Sequence, residues 1–120
     1  MIYPETNLYA ADNGGGRHFK CIKIIKKKSG KAGDSIIVTV KKARPRKKIK
    51  KGKVYRGVIV QTKGWHTRPF GNKVAFLSNR VVILKRGENI PIGSRISRFV
   101  FFELRKRGYM KIVTLSPGQI

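Results

Sequence analysis

The chain has 120 residues, which suits one domain and leaves little room for a second. Its 29 Lys and Arg residues against 5 Asp and Glu residues give a formal net charge of +24, so a compact monomer repels itself unless a polyanion neutralises it. No apolar run approaches the roughly 20 residues of a membrane-spanning helix, and the single cysteine excludes an internal disulfide and a cysteine-rich zinc site.

Short β-branched and apolar segments alternate with turns, which predicts a mainly β protein. Several short strands and hardly any helix indicate a small closed antiparallel β-barrel, because closure removes the exposed edges that invite aggregation. One helix of about two turns is predicted over Phe101–Gly108, where cations cluster at the C-terminal end before a glycine. The predicted strands, in chain order, are Leu8–Ala11, Phe19–Ile25, Ile36–Val40, Val54–Val60, Val74–Leu77, Arg80–Leu84 and a strand-like Lys111–Leu115.

The most basic stretch, residues 41–53, separates the third and fourth predicted strands and contains no acid. Pro45 cannot donate to a β-ladder and Gly52 permits a tight return, so the stretch is predicted to be a long protruding loop. Two buried strands would fix its ends while its tip remains free to meet a polyanion. The principal candidates for RNA contact are Lys41, Lys42, Arg44, Arg46, Lys47, Lys48, Lys50, Lys51 and Lys53.

Other basic segments supply a second group of candidates. Any single lysine can simply be a solvated side chain, and we expect about a third of all the candidates to miss phosphate. A triple glycine, Gly14–Gly16, precedes Arg17 and His18, and its backbone is expected to approach RNA phosphate closely; no Lys-Ser/Thr pair completes a nucleotide-binding loop. The second group is Arg17, Lys20, Lys26, Lys27, Lys28, Lys63 and Arg68.

Cations and aromatic residues are mixed in residues 61–73. Such a mixture is used for stacking on nucleobases, but Trp65 and Phe70 are equally expected to fold back and cover one end of the barrel. Cys21, in a strand-like context, is expected to be a small buried side chain. His18 and His66 have no second ligand at metal spacing, so no metal site is expected.

Catalysis is not expected, because the five acids are far apart in sequence and no nucleophile has a basic partner. We expect no cofactor and no small-molecule substrate. Two binding functions remain open: a structural component of a ribonucleoprotein, and a free single-strand RNA chaperone of the oligonucleotide-binding barrel type. The chaperone would need a row of aromatic residues on one strand face, and no predicted strand carries one.

Short motifs follow one another along nearly the whole chain, each weak alone but together collinear. The motifs are Ala11-Asp12-Asn13-Gly14; Gly33-Asp34 with the next strand; Lys41, Ala43, Pro45 and Lys50-Lys51-Gly52; Val58–Val60 with Thr62-Lys63; Gly71–Phe76 and Asn79; Pro91–Ile96; Glu103-Leu104-Arg105; and Met110-Lys111-Ile112. Their order and compatible spacings resemble the universal L-fourteen family of large-subunit ribosomal proteins.

This resemblance implies a barrel of about five strands with a C-terminal helical appendage. We accordingly expect a single domain over 1–120, with the barrel core roughly at 1–84 and the appendage roughly at 85–120. It also implies contacts with large-subunit rRNA and neighbouring ribosomal proteins, and a place at the subunit interface in a bridge to small-subunit rRNA.

The sequence departs from the family pattern at several positions. Gln61 replaces a usual Arg, Phe70 a usual Asp, and Arg98-Phe99 a usual Gly-Pro. Phe101 and Phe102 replace a polar pair in the region that resembles the docking surface for assembly or silencing factors in relatives. We expect an exposed aromatic cluster there to contact a different protein. The protein-contact candidates are Phe99, Phe101, Phe102 and Arg105.

The drift toward Lys, Ile and Phe with few acids is similar to organellar members of the family. The first residues form neither an apolar signal core nor an amphipathic presequence, so we expect a protein made inside a mitochondrion and working on the ribosome of the matrix. The bacterial cytoplasm and the plastid are the alternatives.

Overall fold

The computed structural model describes residues 1–120 and contains seven strands and two short helices. The predominance of short strands follows from the β-branched segments between glycine-rich and basic turns. The elements are β1 (Asn7–Ala10), β2 (Gly16–Ile24), β3 (Ser35–Ala43), β4 (Val54–Gln61), β5 (His66–Thr67), β6 (Lys73–Val74), β7 (Arg80–Ile83), α1 (Glu103–Lys106) and α2 (Met110–Leu115).

Five strands form a closed barrel in the order β1-β2-β3-β4-β7, so the prediction of a small closed β-barrel is confirmed. One pairing differs from the expected antiparallel arrangement, because β1 and β7 are parallel, with Tyr9 opposite Arg80. These two strands are separated by most of the barrel sequence, so no tight hairpin forces them to be antiparallel. Strands β5 and β6 form a separate two-stranded sheet inside the connection from β4 to β7.

The pairing of β2 with β3 contains three register shifts, including one between Cys21 and Lys23. Extra residues at such irregularities bend a strand and increase its twist. They also disturb the inside-outside alternation of side chains, which explains the imperfect hydrophobic alternation of β2 in the sequence. The same long pairing extends β3 to Ala43, so Lys41 and Lys42 lie on a strand and not in the predicted loop.

The apolar residues form two clusters, one inside the barrel and one outside it. The inner cluster includes Phe19 and Ile59, and the outer one joins Val58 on β4 to Leu104 and Ile112 of the C-terminal segment. Strand β4 is therefore buried on both faces, which accounts for its run of consecutive apolar residues. The C-terminal segment covers the outer face of β4 and β7.

The prediction of a strand over Lys111–Leu115 is wrong, because this segment forms helix α2. Tyr109, Ile112 and Val113 are buried, and their spacing of three and four residues is the period of a helix and not of a strand. The Tyr109 hydroxyl also lies 2.9 Å from the Ser35 hydroxyl on β3, which ties the helix to the barrel.

Two other predicted elements are shorter than expected. The predicted helix Phe101–Gly108 contains only the single turn of α1, which is followed by Gly108 in the left-handed region at φ 87°. The predicted strand Val74–Leu77 is paired only at Val74, and Leu77 is 96% exposed. Neither segment packs against apolar partners along its whole length, so its local sequence preference does not extend the helix or the strand.

The basic loop, residues 44–53, is anchored to the barrel by the side chain of Ile49. This side chain is fully buried and belongs to the inner apolar cluster. The Lys50 backbone N–H donates to the Tyr55 hydroxyl at 3.1 Å, and the Gly52 N–H donates to the Val40 carbonyl at 2.9 Å. The loop's cations are exposed, but its tip is held against one end of the barrel and not free as expected.

We expect Ile49→Ala to lower the free energy of unfolding by about 3 kcal/mol, because it removes buried apolar atoms and leaves a cavity. Ile90→Ala is the matched control, since Ile90 is 40% exposed in a turn and its truncation should change stability by less than about 0.5 kcal/mol. Urea denaturation of the two variants measures the difference. Equal stability of the two variants would show that Ile49 does not anchor the loop.

Candidate nucleic-acid interface

All nine principal candidates for RNA contact carry exposed side chains. Their side chains donate no hydrogen bond within the chain, and the four close ion pairs of the protein all lie elsewhere. Lys41 and Lys42 extend from β3, and the other seven lie in the basic loop anchored by Ile49. The structure therefore holds a dense group of unpaired positive charges at one end of the barrel.

The triple glycine packs against this loop and the barrel core. A methyl group on Gly15 would lie 2.2 Å from Cβ of Lys47, and Gly15 has a φ of +111°, which L-residues rarely adopt. A methyl group on Gly16 would lie 2.2 Å from the ring of Phe19. These glycines are thus required by contacts within the protein; their expected close approach to phosphate stays a prediction.

An open cleft of about 590 Å³ lies beside the triple glycine, and we call it the arginine cleft. Strand pairing builds it, because Tyr9 on β1 lies opposite His18 on β2 and also opposite Arg80 on β7. Only two of its thirteen lining residues are hydrophobic. Its cationic lining consists of Arg17, His18, Arg44, Arg80, Arg95 and Arg98.

The guanidinium of Arg80 is held in place by three contacts. Its Nη1 donates to the Ala10 carbonyl at 2.7 Å, its Nε donates to the Ser78 hydroxyl at 3.0 Å, and its Cζ lies 5.7 Å from the centre of the Tyr9 ring. Partial burial, and then the neighbouring charge of Arg98, lower the pKa of Arg80. Both causes disfavour the charged form of Arg80, so an anion bound in the cleft would stabilise that charge.

Asp12 is the only acid that lines the arginine cleft. Burial raises the pKa of its carboxyl to about 6, and the nearby backbone N–H groups of Gly14 and Gly93 lower it by less. Neither carboxylate oxygen makes a hydrogen bond of good geometry within the chain. The cleft therefore contains much more positive than negative charge.

All 120 residues match the model of the family described as ribosomal protein L14p/L23e. The chain belongs to this family. The family resemblance read from the collinear motifs is confirmed, and the five-strand barrel is the fold that it implied. As a member of the L14p/L23e family, the protein is a structural component of the large ribosomal subunit, and the family is not a class of enzymes.

Among the second group of candidates, two residues of this L14p/L23e protein already have acidic partners. Lys27 Nζ lies 3.0 Å from Asp34 Oδ1, and Arg107 Nη1 lies 3.1 Å from the same atom. Arg68 Nε lies 3.1 Å from Glu103 Oε1. The side chains of Lys26, Lys28, Lys63 and Arg17 are exposed, and Lys20 is half-buried.

The aromatic residues of the β4–β7 connection do not cover the end of the barrel. Trp65 is 71% exposed and Phe70 is 96% exposed, so that alternative is wrong. The connection is instead attached to α1, because His66 Nε2 lies 3.2 Å from Glu103 Oε1, next to the Arg68 contact. Both exposed rings remain available to a partner.

The prediction of an exposed phenylalanine cluster is wrong for Phe101. Phe101 is fully buried, with its ring centre 4.9 Å from that of Phe76 and 5.5 Å from that of His66. It packs beneath the β4–β7 connection and has no surface to offer a partner. Phe99 and Phe102 are exposed, as is Arg105.

Cys21 is buried in the barrel, which confirms the expectation of a small core side chain. Burial raises the pKa of its thiol, so the reactive thiolate is disfavoured. No group of three His, Cys, Asp or Glu residues is placed to hold a metal ion. None of the helices has the length and apolar character needed to span a membrane.

Sequence reasoning missed three arginines of the cleft: Arg80, Arg95 and Arg98. Each is a single cation between small or apolar neighbours, whereas composition reveals only runs of basic residues. Strand pairing could have found Arg80, which lies opposite Tyr9, whereas Arg95 and Arg98 lie outside the strands and carry no such signal. The Asp12-Asn13 turn and the segment around Arg95 both belong to the motifs on which the resemblance rests, and the structure brings them into contact.

We expect Asp12 to destabilise the fold as the pH rises. The pKa is raised in the folded state, so the proton is bound more tightly there, and this contribution is fully present below about pH 4 and lost as the pH rises through about 6. The difference between 3.8 and about 6 corresponds to about 3 kcal/mol.

The stability of wild type relative to Asp12→Asn should accordingly fall by up to about 3 kcal/mol between pH 4 and pH 7. Urea denaturation of both proteins at several pH values measures this difference. Asp34→Asn is the contrasting control, because that carboxylate is buried between two cations and its loss should destabilise the fold at pH 7. A pH-independent difference between wild type and Asp12→Asn would contradict the prediction.

Proposed function

We propose that this L14p/L23e protein binds large-subunit rRNA through the basic loop and its flanking strand residues. The observation that carries the proposal is the set of nine exposed and unpaired cations held at one end of a rigid barrel. Lys and Arg at these positions neutralise rRNA phosphates and fix the orientation of the domain, while the closed barrel acts as a spacer. The lysines and arginines of the second group extend this surface, except where an acid already pairs with them.

The positions of the acids support the assignment of rRNA binding to the basic loop. Asp34 is buried between Lys27 and Arg107, and Glu103 lies against His66 and Arg68. None of these ion pairs includes a cation of the basic loop, so the loop cations remain free to bind phosphate. An assembly that wraps the loop in rRNA removes the self-repulsion of the +24 chain.

The alternative is a free chaperone for single-stranded RNA. Exposed Trp65 and Phe70 favour it in part, because both rings are available for stacking. They lie on the β4–β7 connection and not in a row on one barrel strand, which is how oligonucleotide-binding barrels present their rings. We therefore prefer the ribosomal role.

We further propose that the protein lies at the subunit interface in a bridge to small-subunit rRNA and contacts a neighbouring ribosomal protein through Phe99, Phe102 and Arg105. Phe99 and Phe102 are 48% and 38% exposed and Arg105 is exposed as well, which fits a protein surface. The compartment we propose is the mitochondrial matrix, on the composition alone.

The triple variant Lys47→Gln, Lys48→Gln and Lys51→Gln should bind large-subunit rRNA more weakly and with a salt dependence that is less steep by about two units of log K per log salt concentration. The matched control removes three exposed cations elsewhere: Lys73→Gln, Lys85→Gln and Lys111→Gln. Filter binding at several salt concentrations measures both. An equal loss in the two triple variants would mean that net charge alone, and not the loop, binds rRNA.

A photo-crosslinking residue in place of Phe102 tests the protein contact and the place in the ribosome together. We expect the variant to sediment with mitochondrial large subunits at moderate salt and to crosslink to one neighbouring ribosomal protein. The same probe at Lys48 should crosslink to rRNA, and crosslinks from the chain to small-subunit rRNA should form only in joined ribosomes. Recovery of the chain only in ribosome-free fractions, bound to short RNA, would favour the chaperone.

A further inference from the structure

The arginine cleft differs in chemistry from the basic loop. Five arginines and no lysine line the cleft, whereas residues 46–53 of the loop contain five lysines and one arginine. Lysine is a compact point charge on a flexible stem, but the planar guanidinium presents a fork of donors that matches two oxygens of one phosphate. The cleft is thus suited to recognising phosphate geometry and not charge alone.

Most of the donors in the cleft have no partner within the chain. The side chains of Arg17, Arg44, Arg95 and Arg98 form neither a hydrogen bond nor an ion pair with the protein, although each carries five N–H donors. Arg80 uses two of its donors on Ala10 and Ser78 and keeps the others. The cleft therefore offers many convergent donors and only one acid.

The segments that carry these arginines are clamped together. The Asn13 side chain accepts the backbone N–H groups of Ser94 and Arg95 through Oδ1 at 2.9 and 3.0 Å, and its Nδ2 donates to the Ser94 hydroxyl at 3.1 Å. The Ser97 backbone N–H donates to the Ala11 carbonyl at 3.0 Å. These bonds fix residues 94–97 against the 11–13 turn.

The opposite side of the cleft is attached in the same way, because the Arg44 backbone N–H donates to the Gly15 carbonyl at 2.7 Å. Arg44 on the loop, Arg80 on β7 and Arg98 after the clamped segment thus approach one volume from different parts of the fold. The backbone that carries these arginines is held in place, so only their side chains have to be ordered when a ligand binds, and such a cleft recognises shape as well as charge.

We propose that the arginine cleft binds two adjacent phosphates of a single RNA strand, each held by paired guanidinium N–H groups. The inference rests on the proposed function and deepens it by assigning geometric recognition to the cleft and general attraction to the lysine-rich loop. The open cleft of about 590 Å³ has room for two phosphate groups of one strand. The mainly polar lining suits phosphate better than a buried base.

Charge-conserving substitutions separate the two roles. Arg17→Lys with Arg98→Lys keeps the net charge but removes two guanidinium forks whose side chains make no bond within the protein, so the fold should be unaffected. We expect the affinity for large-subunit rRNA to fall about tenfold. The control, Arg86→Lys with Arg105→Lys, alters exposed arginines outside the cleft that are not among the rRNA-contact residues, and it should change the affinity by less than about twofold. Thermal denaturation of all three proteins verifies the fold.

The outcomes distinguish this inference from the function on which it rests. If wild type does not bind rRNA at moderate salt, the proposed function fails. If wild type binds and the cleft and control pairs bind equally well, rRNA binding stands and the role of the cleft is overturned. A selective loss in the cleft pair supports both.

A direct probe is inorganic pyrophosphate, which carries two linked phosphates without a base or ribose. In ¹⁵N spectra of the full chain, it should shift the Nε–H signals of Arg44, Arg80 and Arg98 in a saturable manner. The signals of Arg86 and Arg105 should move little. Equal and non-saturating shifts of all arginine signals would indicate general ionic attraction and overturn the proposal.

Discussion

The closure of the barrel between β1 and β7 is the constraint on which the rest of the structure depends. Their parallel register places Arg80 opposite Tyr9 and brings the turn after β1 beside the segment after β7. The inner apolar cluster supplies the stabilisation for closure, since Leu8, Phe19 and Val81 from three strands are all buried in it. The arginines of the cleft come from separate parts of the chain, and without the β1–β7 pairing they would not be brought together.

The distribution of charge follows from this closed frame. Two of the five acids attach peripheral segments to the rest of the protein. Asp34 holds the C-terminal segment through Arg107, and Glu103 holds the β4–β7 connection through His66 and Arg68. These pairs are partly buried, so each charge has a partner where solvent is excluded. The exposed lysines and arginines at the loop end keep their full attraction for a polyanion.

The fold was largely readable from the sequence because its strands are β-branched segments bounded by glycine and basic turns. Errors arose where tertiary contacts override local pattern. Ile112 and Val113 form a helix because they pack on the outer face of β4 and β7, and Phe101 is buried because the short α1 turn places it against Phe76. The anchoring role of Ile49 was invisible, since a single apolar residue in a basic run carries no periodic signal.

Only the loop part of the candidate interface could be predicted from the sequence. The lysines of the loop are adjacent in sequence, so composition reveals them. The arginines of the cleft are assembled by strand register and by the Asn13 clamp, and neither leaves a mark on composition.

The two basic surfaces place different demands on the protein. Exposed lysines on the loop lose little by being charged, because water solvates them fully. Arg80 is partly buried beside Arg98, so holding its charge there opposes folding until an anion enters the cleft. A protein that carries such a site is more stable when bound than when free, because a ligand that binds only the folded state stabilises it. Assembly into a ribonucleoprotein thus relieves the same repulsion that the +24 charge imposes on the isolated chain.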